Sequence, residues 1–140
     1  MNIEHAIQIA VEAHAGQRDK AGQPYILHPL RMMFALETED ERIVAVLHDV
    51  VEDCPGWTFD RLKSRGFSNA VLAALDSVTK RTDEDYMAFV QRASADPIGR
   101  RVKIADLRDN IDLSRIANPS ERNHVRIAKY KEALSYLTGS

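Results

Sequence analysis

The stretch His48-Asp49-Val50-Val51-Glu52-Asp53 sets one imidazole and three carboxylates within six residues. Directly before it runs Arg42-Ile43-Val44-Ala45-Val46-Leu47, whose apolar run reads as a buried helix. If that helix continues, residues four apart share a face, so His48 stacks over Glu52 and Asp49 over Asp53. Carboxylates that close repel one another and resist ionising together. A bound divalent cation relieves that repulsion. A solvated helix end is the alternative, although acidic groups suit a helix N-terminus better than this C-terminal position.

Two further residues carry the same chemistry. Asp106 lies in Val102-Lys103-Ile104-Ala105-Asp106-Leu107, an otherwise apolar helix, with Lys103 before it and Asn110 four residues beyond. A carboxylate among apolar neighbours needs a partner. An ion pair with Lys103 or Arg108 would supply one, and so would a metal. His28 precedes Pro29, which suits the first turn of a helix, so His28 is placed at or beside an N-cap. Together His28, His48, Asp49 and Asp106 offer mixed nitrogen and oxygen donors. Such sets suit Mn²⁺, Fe²⁺ or Zn²⁺. An ion of this kind lowers the pKa of bound water and gives a hydroxide-like nucleophile near neutral pH. Glu52 and Asp53 are then placed to accept or relay the proton.

Helices must position these groups, since no run alternates with period two between turn signals. Ile3, Ala6, Ile7, Ala10 and Val11 recur at helical spacing behind the N-cap Asn2, and Gly16 stops that helix. The segment from Gly16 to Tyr25 is a polar loop with two glycines and a proline. A second helix is expected from Pro29 to about Glu37. Thr38 with Glu41 forms a capping box that opens the third, which carries the central stretch to Asp53. Thr58 and Ser68 cap two more, Thr82 opens another, and Asp96-Pro97 opens the helix that holds Asp106 and runs past Leu113 to Asn118-Pro119. A last helix runs from about Pro119 to Leu137. The expected fold is all-α, a globular bundle of about seven or eight helices in one domain spanning residues 1–140.

Composition limits what such a bundle can do. The 140 residues carry 19 Lys and Arg against 21 Asp and Glu, so no general basic surface points to nucleic acid. The single cysteine, Cys54, excludes an internal disulfide and fits a reducing compartment; beside the acidic pair it reads as a small half-buried filler. No apolar run approaches the ~20 residues of a membrane span, and the first residues lack the layout of a signal peptide, so a cytoplasmic protein is expected. A homo-oligomer is compatible with the pattern but not demanded by it. His14 reads as a cation at a helix C-terminus, and Arg31 as a residue within reach of phosphate.

The ordered set His28 … His48-Asp49 … Asp106 resembles the HD superfamily of metal-dependent phosphohydrolases. Four segments are similar to the hydrolase domain of RelA/SpoT-type proteins. They are Gly16 to Leu30, Leu47 to Asp53, Val78-Thr79-Lys80, and Lys103 to Asp106 with Asn110. The resemblance covers nearly the whole chain, is nearest to the small stand-alone alarmone hydrolases, and leaves no length for a synthetase domain. It implies removal of pyrophosphate from the 3′ position of (p)ppGpp, usually with Mn²⁺. It also implies metal ligation by His28, His48, Asp49 and Asp106, and a catalytic pair Glu52 and Asp53. Lys20, Tyr25, Lys103 and Asn110 match positions that meet the nucleotide. Two places depart from the family. Asp19-Lys20 stands where Arg-Lys is usual, and Asp19 cannot stack on a base as guanidinium does. Leu107-Arg108-Asp109-Asn110 replaces the common Arg-Leu-His-Asn, and Leu113 stands where a hydroxyl is frequent. Alternative substrates are therefore an adenine alarmone or another phosphorylated nucleotide, and a nucleotide sensor without turnover is a third reading.

Overall fold

The structure, a computed structural model, describes residues 1–139. Among them are nine α-helices and no strand: α1 (Ile3–Ala13), α2 (Leu27–Phe34), α3 (Glu39–Leu47), α4 (Val50–Asp53), α5 (Phe59–Ser64), α6 (Asn69–Ser77), α7 (Tyr86–Ser94), α8 (Pro97–Ile111) and α9 (Glu121–Thr138). The all-α expectation holds. The added helix comes from a break, since the chain does not continue helically through His48 and Asp49. Asp49 sits at φ −104°, ψ 0°. His48 Nδ1 bonds the Ala45 carbonyl at 2.7 Å. In an unbroken helix that oxygen would serve the Asp49 N–H, so the side chain competes with the main chain for it. His48 and Asp49 thus lie at a junction, not on a continuous face with Glu52 and Asp53.

Caps set most of the ends. Asn2 Oδ1 accepts from His5 N, Thr38 and Glu41 form the expected capping box, and Thr58 and Ser68 each accept from the N–H three residues on. Asp96 accepts from Ile98 N and Gly99 N ahead of α8. Three boundaries differ from the sequence reading. First, α2 begins at Leu27, so Pro29 lies inside its first turn, where its missing N–H costs nothing, and His28 is within the helix. Second, Asp85 rather than Thr82 caps α7, after Asp83 turns the chain at φ 63°. Third, α8 ends at Ile111, because Asp112 Oδ1 accepts from Ser114 N and starts a turn that carries Leu113 outside the helix.

Helix α3 runs through the middle of the core. Ile43, Val44, Ala45, Val46 and Leu47 are all at most 1% exposed, and α3 touches α1, α2, α6 and α8. Helix-wide apolarity is what a helix surrounded by others requires, and each large side chain so buried contributes about 1.5–3 kcal/mol. Because α3 ends inside the bundle, the polar residues that follow it start from a buried position. Helix α8 is held against α6 at Gly99, where an added Cβ would come within 2.0 Å of Ser77 Oγ. Val90, Leu107, Ala133 and Leu137 form a second cluster where α9 covers α7 and α8. These contacts fix the helix that carries Asp106.

Candidate active site

Three elements converge on one point. The first turn of α2 supplies His28, the α3–α4 junction supplies His48 and Asp49, and the middle of α8 supplies Asp106. Donor atoms of His28, His48 and Asp49 all lie within 4.8 Å of one another. Asp106 Oδ1 adds a fourth, 3.0 Å from His28 Nε2 and 3.6 Å from His48 Nε2. Donors that share one ion at ordinary bond lengths stand about 3–4 Å apart.

Both imidazoles are turned the same way. His48 Nδ1 is taken by the Ala45 carbonyl and His28 Nδ1 by Asp109 Oδ2 at 2.6 Å, so each ring presents Nε2 to the shared point. His48 Nε2 is 3.0 Å from Asp49 Oδ2, yet that buried nitrogen makes no aligned hydrogen bond. A buried nitrogen with no partner is costly unless something else occupies its lone pair. The donor set and this orphaned atom both fit a divalent cation.

The charges agree. Burial alone would lower the pKa of His48, but Asp49 and Asp106 outweigh it and hold it well above the usual value. Burial opposes ionisation of Asp106, yet the Lys103 charge, the bond from His28 and the nearby His48 ring keep it far below the ordinary carboxylate range. Asp49 is likewise lowered against its burial, chiefly by His48. A field that favours protons on the imidazoles between two carboxylates favours any cation there.

The other predicted residues fall around this centre. Tyr25 donates its hydroxyl to Asp49 Oδ2. Burial and Asp49 raise its pKa. Lys103, only 8% exposed, places Nζ 3.0 Å from Asp106 Oδ2. The ion pair weighed from sequence is therefore present, and Lys103 is held against Asp106. Asn110 Nδ2 donates to Asp106 Oδ1 at 3.0 Å. Glu52 lines the adjoining cleft and accepts from Lys80 N at 3.4 Å; burial, Asp49 and Asp53 raise its pKa. Asp53 is exposed and does not line that cleft. Lys20 is exposed on the cleft rim.

The cleft has a volume of about 550 Å³, within the ~300–1,000 Å³ of small-molecule sites. Beyond the metal-type centre it is lined by Arg18, Lys20, Lys80, Arg126 and Lys129, with Tyr86 and Tyr130 between them. That wall suits an anionic ligand carrying an aromatic or sugar portion.

Asp109 was not singled out by the sequence, and Arg31 was read differently. Arg31 Nε and Nη2 clamp the Asp109 carboxylate at 2.7 and 3.0 Å, so this guanidinium is engaged rather than facing the cleft freely. His14 does end α1, but as a buried side chain. It is 2% exposed, with Nδ1 2.8 Å from Gln17 Oε1 and its ring against Tyr25. Cys54 is fully buried beside it. Asp19 closes its own loop, accepting from Ala21 N and Gln23 N at 2.9 Å each. The backbone pairing of Arg18 with Pro24 tightens the same loop.

No protein-family model matches the chain. It is 29% identical over 135 residues to a guanosine-3′,5′-bis(diphosphate) 3′-pyrophosphohydrolase of Aquifex aeolicus (strain VF5), across 88% of this chain and 19% of that protein. It is 32% identical over 136 residues to the protein of the same name from Haemophilus influenzae, across 86% of this chain and 20% of that protein. A GTP pyrophosphokinase of Streptomyces coelicolor is 35% identical over 111 residues, across 76% of this chain and 12% of its own length. The chain thus spans about a fifth or less of the length of these curated relatives. A solved structure described as a metazoan ortholog of SpoT that hydrolyzes ppGpp superposes with a TM-score of 0.79 at 20% identity. The match covers 96% of this chain and 84% of that one, so the two share a fold.

Proposed function

We propose that this chain is a RelA/SpoT-type HD domain, a metal-dependent hydrolase that removes pyrophosphate from the 3′ position of (p)ppGpp. The products are GDP or GTP and pyrophosphate. Residues 1–140 act in this reading as one hydrolase domain. No described helix is long and apolar enough to cross a membrane, which is compatible with action on a cytoplasmic nucleotide. The observation that carries the proposal is the convergence of His28 Nε2, His48 Nε2, Asp49 and Asp106 at the head of a cation-lined cleft.

In this reading His28, His48, Asp49 and Asp106 hold Mn²⁺, which supplies Lewis acidity and lowers the pKa of water. The chain's own residues do the rest. Lys103 and Asn110 keep Asp106 in place, and Tyr25 does the same for Asp49. Arg18, Lys20, Lys80, Arg126 and Lys129 receive phosphate charge. Water oxygen bonds to the phosphorus attached to the 3′ oxygen as that P–O bond breaks. Glu52, whose raised pKa suits proton uptake, accepts one water proton while the other stays on the released pyrophosphate, and the departing 3′ oxygen takes up a proton from solvent, to which Glu52 afterwards returns its own. Asp53 adds negative charge next to Glu52 and so supports its basicity.

The test is product analysis. Mn²⁺-loaded protein given ppGpp is expected to yield GDP and pyrophosphate, and a chelator to abolish the yield. Folded, metal-loaded protein that yields no product overturns the reading. One observation favours a second substrate: Asp19 is spent on closing its loop and offers no planar cation to a guanine. A substrate panel in which an adenine alarmone is turned over faster than ppGpp would move the base specificity while keeping the reaction.

A further inference from the structure

His28 and Asp109 are separated by 81 residues in sequence and by 2.6 Å in space. Asp109 borders the cleft, and its carboxylate is held from several sides. Its Oδ2 accepts from His28 Nδ1 and, at 3.0 Å, from Arg31 Nη2. Its Oδ1 accepts from Arg31 Nε at 2.7 Å and faces Arg115 Nη2 at 3.5 Å. Its side chain is 11% exposed. Every neighbour is a donor, so the carboxyl has no role but acceptor.

We infer that Asp109 is a positioning residue that fixes the tautomer and rotation of His28, with Arg31 in turn fixing Asp109. A carboxylate clamped by a bidentate guanidinium cannot donate, so the hydrogen between it and His28 must sit on Nδ1. The lone pair available to a cation is then on Nε2, the nitrogen aimed at Asp106 and His48. Without Asp109 the proton of the neutral ring is drawn to Nε2, where Asp106 Oδ1 lies 3.0 Å away, and rotation about its side-chain bonds is no longer restrained from the Nδ1 side. An acceptor behind a metal-binding imidazole both orients it and makes it a better donor, and its loss typically costs ~10–100-fold in metal affinity. The chain has a built-in contrast: His48 gains the same orientation from a main-chain carbonyl and needs no such residue.

The inference rests on the metal site proposed above, and the experiment separates the two. Mn²⁺ affinity is measured by calorimetry on the wild type, Asp109→Asn, Arg31→Lys and Glu84→Gln, with no substrate present. The side-chain ¹⁵N shifts of His28 are recorded on the metal-free proteins at a pH where the ring is neutral. Asparagine keeps the shape but has one acceptor oxygen and sets an NH₂ against donors. Asp109→Asn is expected to weaken Mn²⁺ binding about 10–100-fold and to shift His28 from the Nδ1–H form toward the Nε2–H form. Arg31→Lys loses the two-point clamp and is expected to show a smaller loss in the same direction. Glu84→Gln cuts an equally close arginine pair whose two residues do not line the cleft and is expected to leave Mn²⁺ affinity unchanged. Unaltered affinity and tautomer in both Asp109→Asn and Arg31→Lys overturn the inference. An equal loss in Glu84→Gln overturns it too, since the effect would then be general loosening. Absence of Mn²⁺ binding in the wild type overturns the metal site itself.

Discussion

The two imidazoles of the proposed metal centre reach one point by opposite means. His48 stands at the end of the most buried helix and is oriented by the carbonyl of Ala45, three residues before it in its own chain segment. His28 stands on α2 and is oriented by Asp109 on α8, through a carboxylate that two arginines hold. The first device is main chain and cannot be deleted by a side-chain substitution at position 45. The second is a relay of side chains and can be cut at several places. One half of the centre is therefore as rigid as its helix, and the other is as rigid as an ion-pair network.

The largest effects come from removing donors on the rigid side. His48→Ala and Asp49→Ala are each expected to abolish both Mn²⁺ binding and turnover, and metal analysis of the purified variants decides it. Full occupancy in either would show that the centre does not depend on that residue. Next comes Glu52→Gln, which leaves every proposed donor in place. It should retain Mn²⁺ and slow turnover by ~10²–10⁴-fold, the range of a lost acid–base group. Near-normal turnover would reduce Glu52 to a partner for the Lys80 N–H. Smaller still are the effects on the relay side, where Asp109→Asn is expected to weaken the metal without deleting a donor. If Asp109→Asn instead matched His48→Ala, the contrast between the two imidazoles would collapse.

The same contrast explains what was legible in the sequence. His48-Asp49 was readable because an apolar helix ran straight into it, and Asp106 because it interrupted apolar neighbours. Caps at Asn2, Thr38, Thr58, Ser68 and Asp96 were readable since each acts on N–H groups two or three residues away. The break at His48 was not, because it depends on an imidazole nitrogen taking a backbone carbonyl, which residue type alone does not signal. Nor was Asp109, whose partners His28 and Arg31 lie 81 and 78 residues away. One signal is present in the sequence: Asp109 is three residues beyond Asp106 and therefore puts a second acid on the same helix face. The place of His14 at the end of α1 is legible, but its burial is not, since Gln17, Tyr25 and Cys54 close around it.

The smallest expected effect is also the cleanest control on the comparison. Glu84 and Arg92 repeat the chemistry of Asp109 and Arg31, a carboxylate clamped by Nε and Nη2 at 2.9 Å each, but with no imidazole behind the acid. Arg92 also donates to the Asp76 and Thr79 carbonyls, so the pair ties the segment between α6 and α7 to α7 itself. Bonds from Arg92 and from the Arg81 N–H lower the Glu84 pKa from 4.5 to about 2. A depressed acid stabilises the fold above its unfolded pKa and loses that contribution as pH falls through its folded one. The melting temperature of wild type should therefore exceed that of Glu84→Gln above about pH 5. The gap should narrow steadily on acidification and close as pH falls through about 2, where Glu84 takes up its proton. Thermal melts of both proteins across that range decide it. A gap that stays constant with pH would mean that the glutamate acts through shape rather than charge. A carboxylate clamped by an arginine would then not act as an obligate charged acceptor, at Glu84 or at Asp109.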